Sequence, residues 1–502
     1  VKGPSANRIL APLAVVILLG AAYGLATYGS TVRLGGAGQL PPPRTAAATS
    51  VVRACPLPGQ AGSGAANVAL VTLPATAGPG QAQVTRLGGP SAAALRSLTH
   101  PGQLWLAPVR AGASARRAAA HPGSQAVPTA PAQGGVVVQA SGSMARGLEV
   151  EQITAAGVPS IRCESPGTDF WFVGPGQHSA ARIQLFLLNT AGQPADVNVE
   201  VATDAGPLQG STDTGIAVAP HSTVVQTLAP VLHGSRVISL HVRTSVGQVV
   251  AGVQETTGAG GSGAWLPAAQ EPATHVVLPG LPATAGTRQL FVTVPGTADA
   301  HLKLTAITTR GSYPPAGGTG IDIPGGSAVA ILLPSLSGIP AAIKLSANVP
   351  VTASAMLTGG PSGAPGVFTA ASLPLEEQGV IAYCRTGGGA NSELVLSAPG
   401  RAVKARITEI SASGTTAGTP QIVEIGAGRS LVQQLGKGGG SGRKSAFSVL
   451  VTPLAGSGPL YAGRVISGSG TGGIVQSLLP VASALTTVPL PRVQNMVITT
   501  AP

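Results

Sequence analysis

The chain has 502 residues, of which 44% are hydrophobic, 9% charged and 3% aromatic, with 71 Gly and 44 Pro. That apolar content supplies enough surface for packed cores and excludes wholesale disorder, while the length exceeds what one core organises, so three or four domains of about 100–150 residues are expected. The formal charge of +12 comes from scattered Lys and Arg with no basic helix and no interleaved aromatics, which excludes a nucleic-acid reader. It leaves an anionic polymer or lipid surface as the electrostatic partner, or a sparsely charged surface with no such partner.

From Ile9 to Val32 there is no charged residue, and a helix of that length crosses a bilayer core of about 30 Å. Lys2 and Arg8 place residues 1–8 in the cytoplasm. The expectation is a single-pass transmembrane helix over 9–32 that anchors the protein in the cell membrane with its bulk outside the cytoplasm. Gly24-Leu25-Ala26 is also an acceptable small-x-small cleavage site, and a signal peptide cut there would export the same chain. Residues 33–49, with Pro41, Pro42, Pro43 and several Gly, read as an extended linker.

Beyond the linker the sequence repeats itself about every hundred residues. Arg182 to Leu187, Val197 to Val201, Gly215 to Pro220, Ile238 to Val242 and Val249 to Ala251 have counterparts in the same order at Leu290 to Val294, Leu302 to Ile307, Gly320 to Pro324, Ile343 to Ala347 and Val351 to Met356. They recur at Leu394 to Leu396, Val403 to Ile407, Ile422 to Gly426, Phe447 to Val451 and Leu460 to Val465. A fourth, eroded copy runs from Cys55 through Ala66 to Val71 and Gln103 to Leu106 as far as Leu148 to Val150. Each segment alternates apolar and polar residues between turn residues, the period-2 signature of half-buried strands.

The fold class expected is therefore all-β: tandem immunoglobulin-like antiparallel β-sandwich repeats over 50–160, 161–260, 261–365 and 366–472, behind one N-terminal transmembrane helix. Trp265-Leu266-Pro267-Ala268 is echoed at Leu479-Pro480-Val481-Ala482, after which no domain follows. The tail 473–502 is thus expected to fold back as a strand, because an exposed terminal strand would be an aggregating edge.

The stretch Pro166-Gly167-Thr168-Asp169-Phe170-Trp171-Phe172, with Trp265-Leu266-Pro267-Ala268 and Cys55-Pro56-Leu57-Pro58, resembles a family of membrane-anchored actinobacterial envelope proteins of unknown function. The resemblance spans most of residues 50–495 and carries over no activity. The three cysteines allow one disulfide and a leftover thiol. The family pattern implies a bond between Cys55 and Cys163. It leaves Cys384 as a buried small side chain or, alternatively, a reactive thiol.

No Gly-x-Ser-x-Gly elbow and no His-Glu-x-x-His occurs, and His221, His233 and His241 lack neighbours at metal-ligand spacing, so no enzyme, cofactor or metal is expected. Lys437, Arg443 and Lys444 lie in a stretch that imitates a phosphate loop but lacks its second glycine and joins two strands, which makes it a basic hairpin tip able to touch an anionic polymer. Trp171 with Asp169, and separately Trp105, could stack on and hydrogen-bond a sugar; equally, Trp171 could plug a core and Asp169 cap a turn. The leading expectation is a structural or protein-interaction scaffold of the cell envelope. A cell-wall glycan-binding module is the alternative, with an exposed aromatic ring as its mark, and an envelope enzyme of unrecognised type comes third.

Overall fold

Alternation decides the strands. In Ala195–Thr203 the buried Ala195, Val197, Val199 and Val201 alternate with Asp196, Asn198 and the exposed Glu200, and the same pattern recurs in Ala300–Thr308 and Val403–Ser411. The computed structural model describes residues 45–489 apart from 58–64, 75–77, 88–95, 111–133, 155–158, 178–179, 181, 209–212, 229–231, 233, 257–262, 359–365, 437–444 and 469–474. The transmembrane helix expected over 9–32 lies outside them. Among the described residues no helix is long and apolar enough to cross a membrane, and the one helical element is a 3-10 turn at Pro334–Leu336.

Residues 47–487 form one compact unit; of the separate unit made by 1–46 and 488–502 the described residues are 45–46 and 488–489, all in strand conformation. The compact unit contains four modules of the same connectivity. In the second module Asp169–Pro175, Val237–Val246, Ala195–Thr203 and Asp213–Val218 form one sheet, and Ser222–Thr227, Arg182–Asn189, Val250–Thr256 and Gly263–Leu266 form the other. In chain order these are strands 1-6-3-4 facing 5-2-7-8. The first module (Ser50–Pro56 to Pro159–Arg162) and the fourth (Gly379–Thr386 to Val475–Pro480) repeat that order. So does the third (Ala273–Leu281 to Val367–Ala370), where the single long strand Ala341–Thr358 serves as both sixth and seventh.

In an immunoglobulin constant-type sheet the first strand pairs with the second; here it pairs with the sixth. Phe172, Leu185, Val197, Leu240 and Val253, drawn from both sheets, share the second module's core. Ile381, Leu394, Val403 and Val449 do so in the fourth.

The module limits lie later than the sequence periodicity implies. Boundaries at 160, 260, 365 and 472 cut into or just before the eighth strands at Pro159–Arg162, Gly263–Leu266, Val367–Ala370 and Val475–Pro480. These strands are short, and Gly-rich stretches precede the second, third and fourth of them. The echo at Trp265 and Leu479 is explained: both are eighth strands closing a module, and the tail pairs with Tyr461–Gly468 as the edge of the fourth module.

The modules pack head to tail. The 1-6-3-4 sheet of each lies against the 5-2-7-8 sheet of the next: Ala54 and Val137 of the first module on Phe186 and Val250 of the second, and the second module's core on Phe291 of the third. The third module's core meets Val395 and Val465 of the fourth. Val380, Ala382 and Tyr383 of the fourth then return onto Ala69 and Val71 of the first. A heterologous contact that repeats with the right rotation closes into a ring, and this chain closes on itself after four.

One position explains the close approach. Opposite Phe186, Phe291 and Val395 on the contacting face stand Gly252, Ser354 and Gly463. A Cβ on Gly463 would sit 2.4 Å from the Gly280 Cα of the preceding module, and one on Gly252 would sit 3.2 Å from Pro56 Cγ. Where the ring closes the sizes are exchanged, with the small Ala69 opposite Glu151.

Candidate functional site

The segment after each eighth strand turns back to hydrogen-bond the first strand of its own module. The bridges are Ala54 with Glu164, Trp171 with Ala269, Val277 with Ser372 and Gly379 with Ser483. In the first module the Cys55–Cys163 disulfide reinforces this return. Glu164, Ala269, Ser372 and Ser483, equivalent by position, all line one cleft of about 450 Å³ where the four modules meet. Its walls are apolar: Ile161 from the first module, Phe172, Trp265 and Leu266 from the second, Leu478 and Leu479 from the fourth. This size and lining are those of a small-molecule site with a few fixed polar groups.

The polar groups divide into committed and free. Arg162 holds Glu149 with both ends of its fork, at 2.5 Å from Nε and 2.8 Å from Nη2. Burial works against the Arg162 cation, but the carboxylates of Glu149 and Glu164 outweigh it and hold the guanidinium above its ordinary range. Arg53, buried beside them, donates from Nη1 to Ser165 Oγ at 2.8 Å and from Nε to the Leu148 carbonyl at 3.3 Å. Behind the cleft Arg464 of the fourth module is ion-paired with Glu151 of the first, each side chain 1% exposed. Arg464 also donates to the Tyr383 carbonyl at 2.8 Å and to Ser477 Oγ at 2.9 Å. Glu164 lies within electrostatic reach of Arg162 and Arg53, whereas the exposed Glu376 makes no ion pair among the described residues and the buried Ser372 Oγ has no hydrogen-bond partner among them.

The residues singled out from sequence fall elsewhere. Trp171 is 7% exposed. Its indole lies flat against the His241 ring at 3.7 Å between centroids, and its carbonyl accepts from Ala269 N. The expectation of an exposed stacking face is thereby corrected: the outer face of the first strand, where Trp171 points, is covered by its neighbours. Asp169 accepts from or pairs with His241 Nε2 at 3.0 Å, and Glu200 with His241 Nδ1 at 3.2 Å, so this carboxylate serves the imidazole. Trp105 is half-buried on Trp105–Arg110 in another module and is not brought to Trp171. Lys437, Arg443 and Lys444, and His233, lie outside the described residues.

Cys55 and Cys163 are joined; Cys384 is a buried free thiol, held well above its usual range by burial. No group of three His, Cys, Asp or Glu able to hold a metal occurs among the described residues. Sequence reasoning missed Arg53, Glu149, Glu151, Arg162 and Arg464. One signal was there to read: Glu149 and Glu151 alternate on a strand, so two carboxylates point from one face. It had no interpretation without the arginines that meet them.

Together the fold and the cleft define a closed ring of four two-sheet β modules around one apolar site. A model of a family of unknown function (DUF5719) matches residues 118–435, more than half of the chain, and the protein belongs to that family. No curated protein matches it.

Proposed function

We propose that this protein is a membrane-tethered scaffold of the cell envelope, a rigid ring held outside the cytoplasm that binds rather than transforms its partners. The closed ring of four modules carries the reading. A body whose sheet faces are spent on one another is stiff and offers its rim and its central cleft to other molecules. The Cys55–Cys163 disulfide supports an oxidising compartment, and the uncharged stretch Ile9 to Val32 supports the tether. Each module is read as immunoglobulin-like in its layers, with its first and seventh strands exchanged relative to that fold's connectivity. The burial of Trp171 favours the scaffold over the glycan module, because a sugar needs an open ring face.

The test uses the full chain in its native membrane, with chemical crosslinking and capture at low and high salt beside incubation with purified wall polymer. Capture of one or a few envelope proteins, with the body protease-accessible only from outside, supports the scaffold. Retention on wall polymer without protein capture would replace it with the glycan reading, and a cytoplasmic body would end both.

A further inference from the structure

We infer that the central cleft binds an uncharged small molecule whose apolar body ends in a carboxamide. The charges at its inner wall offset one another. Arg162 is paired with Glu149, and Glu164 lies within reach of both Arg162 and Arg53. Behind them Arg464 is paired with Glu151. Glu376, the remaining charged residue of the lining, is exposed to water. An ionised ligand group carried inside would meet no unpaired counter-charge and would give up its hydration without return. An uncharged group loses far less on entry.

The polar group left for a ligand is itself neutral. Gln270 lines the cleft, half-buried, and its backbone is held at both ends: N donates to the Ala371 carbonyl at 2.9 Å, and its carbonyl accepts from Thr352 Oγ1 at 2.8 Å. Its side-chain carboxamide makes no hydrogen bond among the described residues. A carboxamide presents donors beside an acceptor, and the complement of that arrangement is a second carboxamide. The surrounding backbone competes little, since the N–H groups of Ala269 and Ser372 are taken by the Trp171 and Val277 carbonyls. Ile161, Leu266 and Leu478 give the apolar body its contact area. Leu373, also of the lining, is 68% exposed, more than any other large hydrophobic residue described, and extends the apolar wall to the mouth. Because the lining segments come from four modules, the site exists only in the closed ring.

The site is independent of the scaffold reading: a ring that captures envelope proteins can have an empty cleft, and a filled cleft needs no protein partner. Saturation-transfer NMR on the full chain in nanodiscs of zwitterionic lipid, with empty discs as blank, would compare hydrocinnamamide with hydrocinnamate and phenylpropylammonium, which share one body and differ in charge. The amide should bind saturably and at least about tenfold more tightly than either ion. Gln270→Leu should weaken the amide by about tenfold, the range of a pair of neutral hydrogen bonds, while the melting temperature holds. Ala268→Trp, placed on the same wall, should remove amide binding by filling the space. No saturable binding of the amide, an ion that binds as tightly, or an amide affinity unchanged in Gln270→Leu would each overturn the assignment.

Discussion

Glu151→Gln should open the ring at its seam. Glu151 and Arg464 stand 313 residues apart in sequence, on the first and fourth modules, and both are 1% exposed. The pair is therefore the buried link between the two ends of the chain. Removing one partner of a buried ion pair costs about 3–5 kcal/mol, because the other charge is left without compensation in a poorly polarisable interior. Arg464 keeps its hydrogen bonds to the Tyr383 carbonyl and Ser477 Oγ, and a Gln amide oxygen still accepts, which puts the expected loss near the lower figure. About 3 kcal/mol corresponds to roughly a hundredfold increase in the population of the opened seam.

Native-state hydrogen exchange reads this locally. Amides of Glu149–Thr154, Gly379–Thr386 and Tyr461–Gly468 should exchange faster by about that factor, while Ala195–Thr203, in the second-module sheet that faces the third module, should not change. The double replacement Glu151→Leu, Arg464→Met, which keeps the volume and removes both charges, should recover most or all of the loss. Uniform acceleration across all four modules, or a double variant as damaged as the single one, would refute the seam.

Other consequences follow from single groups. Burial alone pushes the Glu255 carboxyl from 4.5 up to about 8. The unfolded chain therefore releases this proton at lower pH than the folded one, and the contribution to stability falls as pH rises from about 4.5 to about 8. Glu255→Gln should flatten that part of a urea-midpoint-against-pH curve. Reduction of Cys55–Cys163, which closes a separation of 108 residues, should cost about 2–5 kcal/mol and lower the melting temperature, chiefly through the first module. Gly463→Ala should destabilise by about 1–3 kcal/mol in chemical denaturation, since its methyl meets backbone at Gly280 and nothing flexible can yield. Cys384, fully buried with its thiol pushed up, should resist alkylation until denaturant is added, as followed by intact-mass spectrometry.

The cleft and the seam show where sequence reading stops. Strand periodicity, the hundred-residue repeat and even the return of the tail as an edge strand were legible, because each depends on neighbours two residues apart or on comparison of like segments. The eighth strands fall at the expected module boundaries or read only as an echo, since four to six residues beside glycines carry little alternation. The sequence leaves Trp171 open between a binding and a buried role, because an aromatic beside a carboxylate has the same one-dimensional signature whether the ring faces solvent or is covered by a neighbour such as His241.

Local pattern thus determined the class: all-β modules, their number, and an uncharged segment of membrane-spanning length ahead of them. The pairing of first strand with sixth, the closure of four modules into a ring and the meeting of Glu151 with Arg464 were decided only by tertiary structure. These depend on which faces are complementary in size and charge, Gly463 on Gly280 and Glu151 beside Ala69. Such complementarity is a relation between residues hundreds of positions apart, and no window along the chain contains both halves of it.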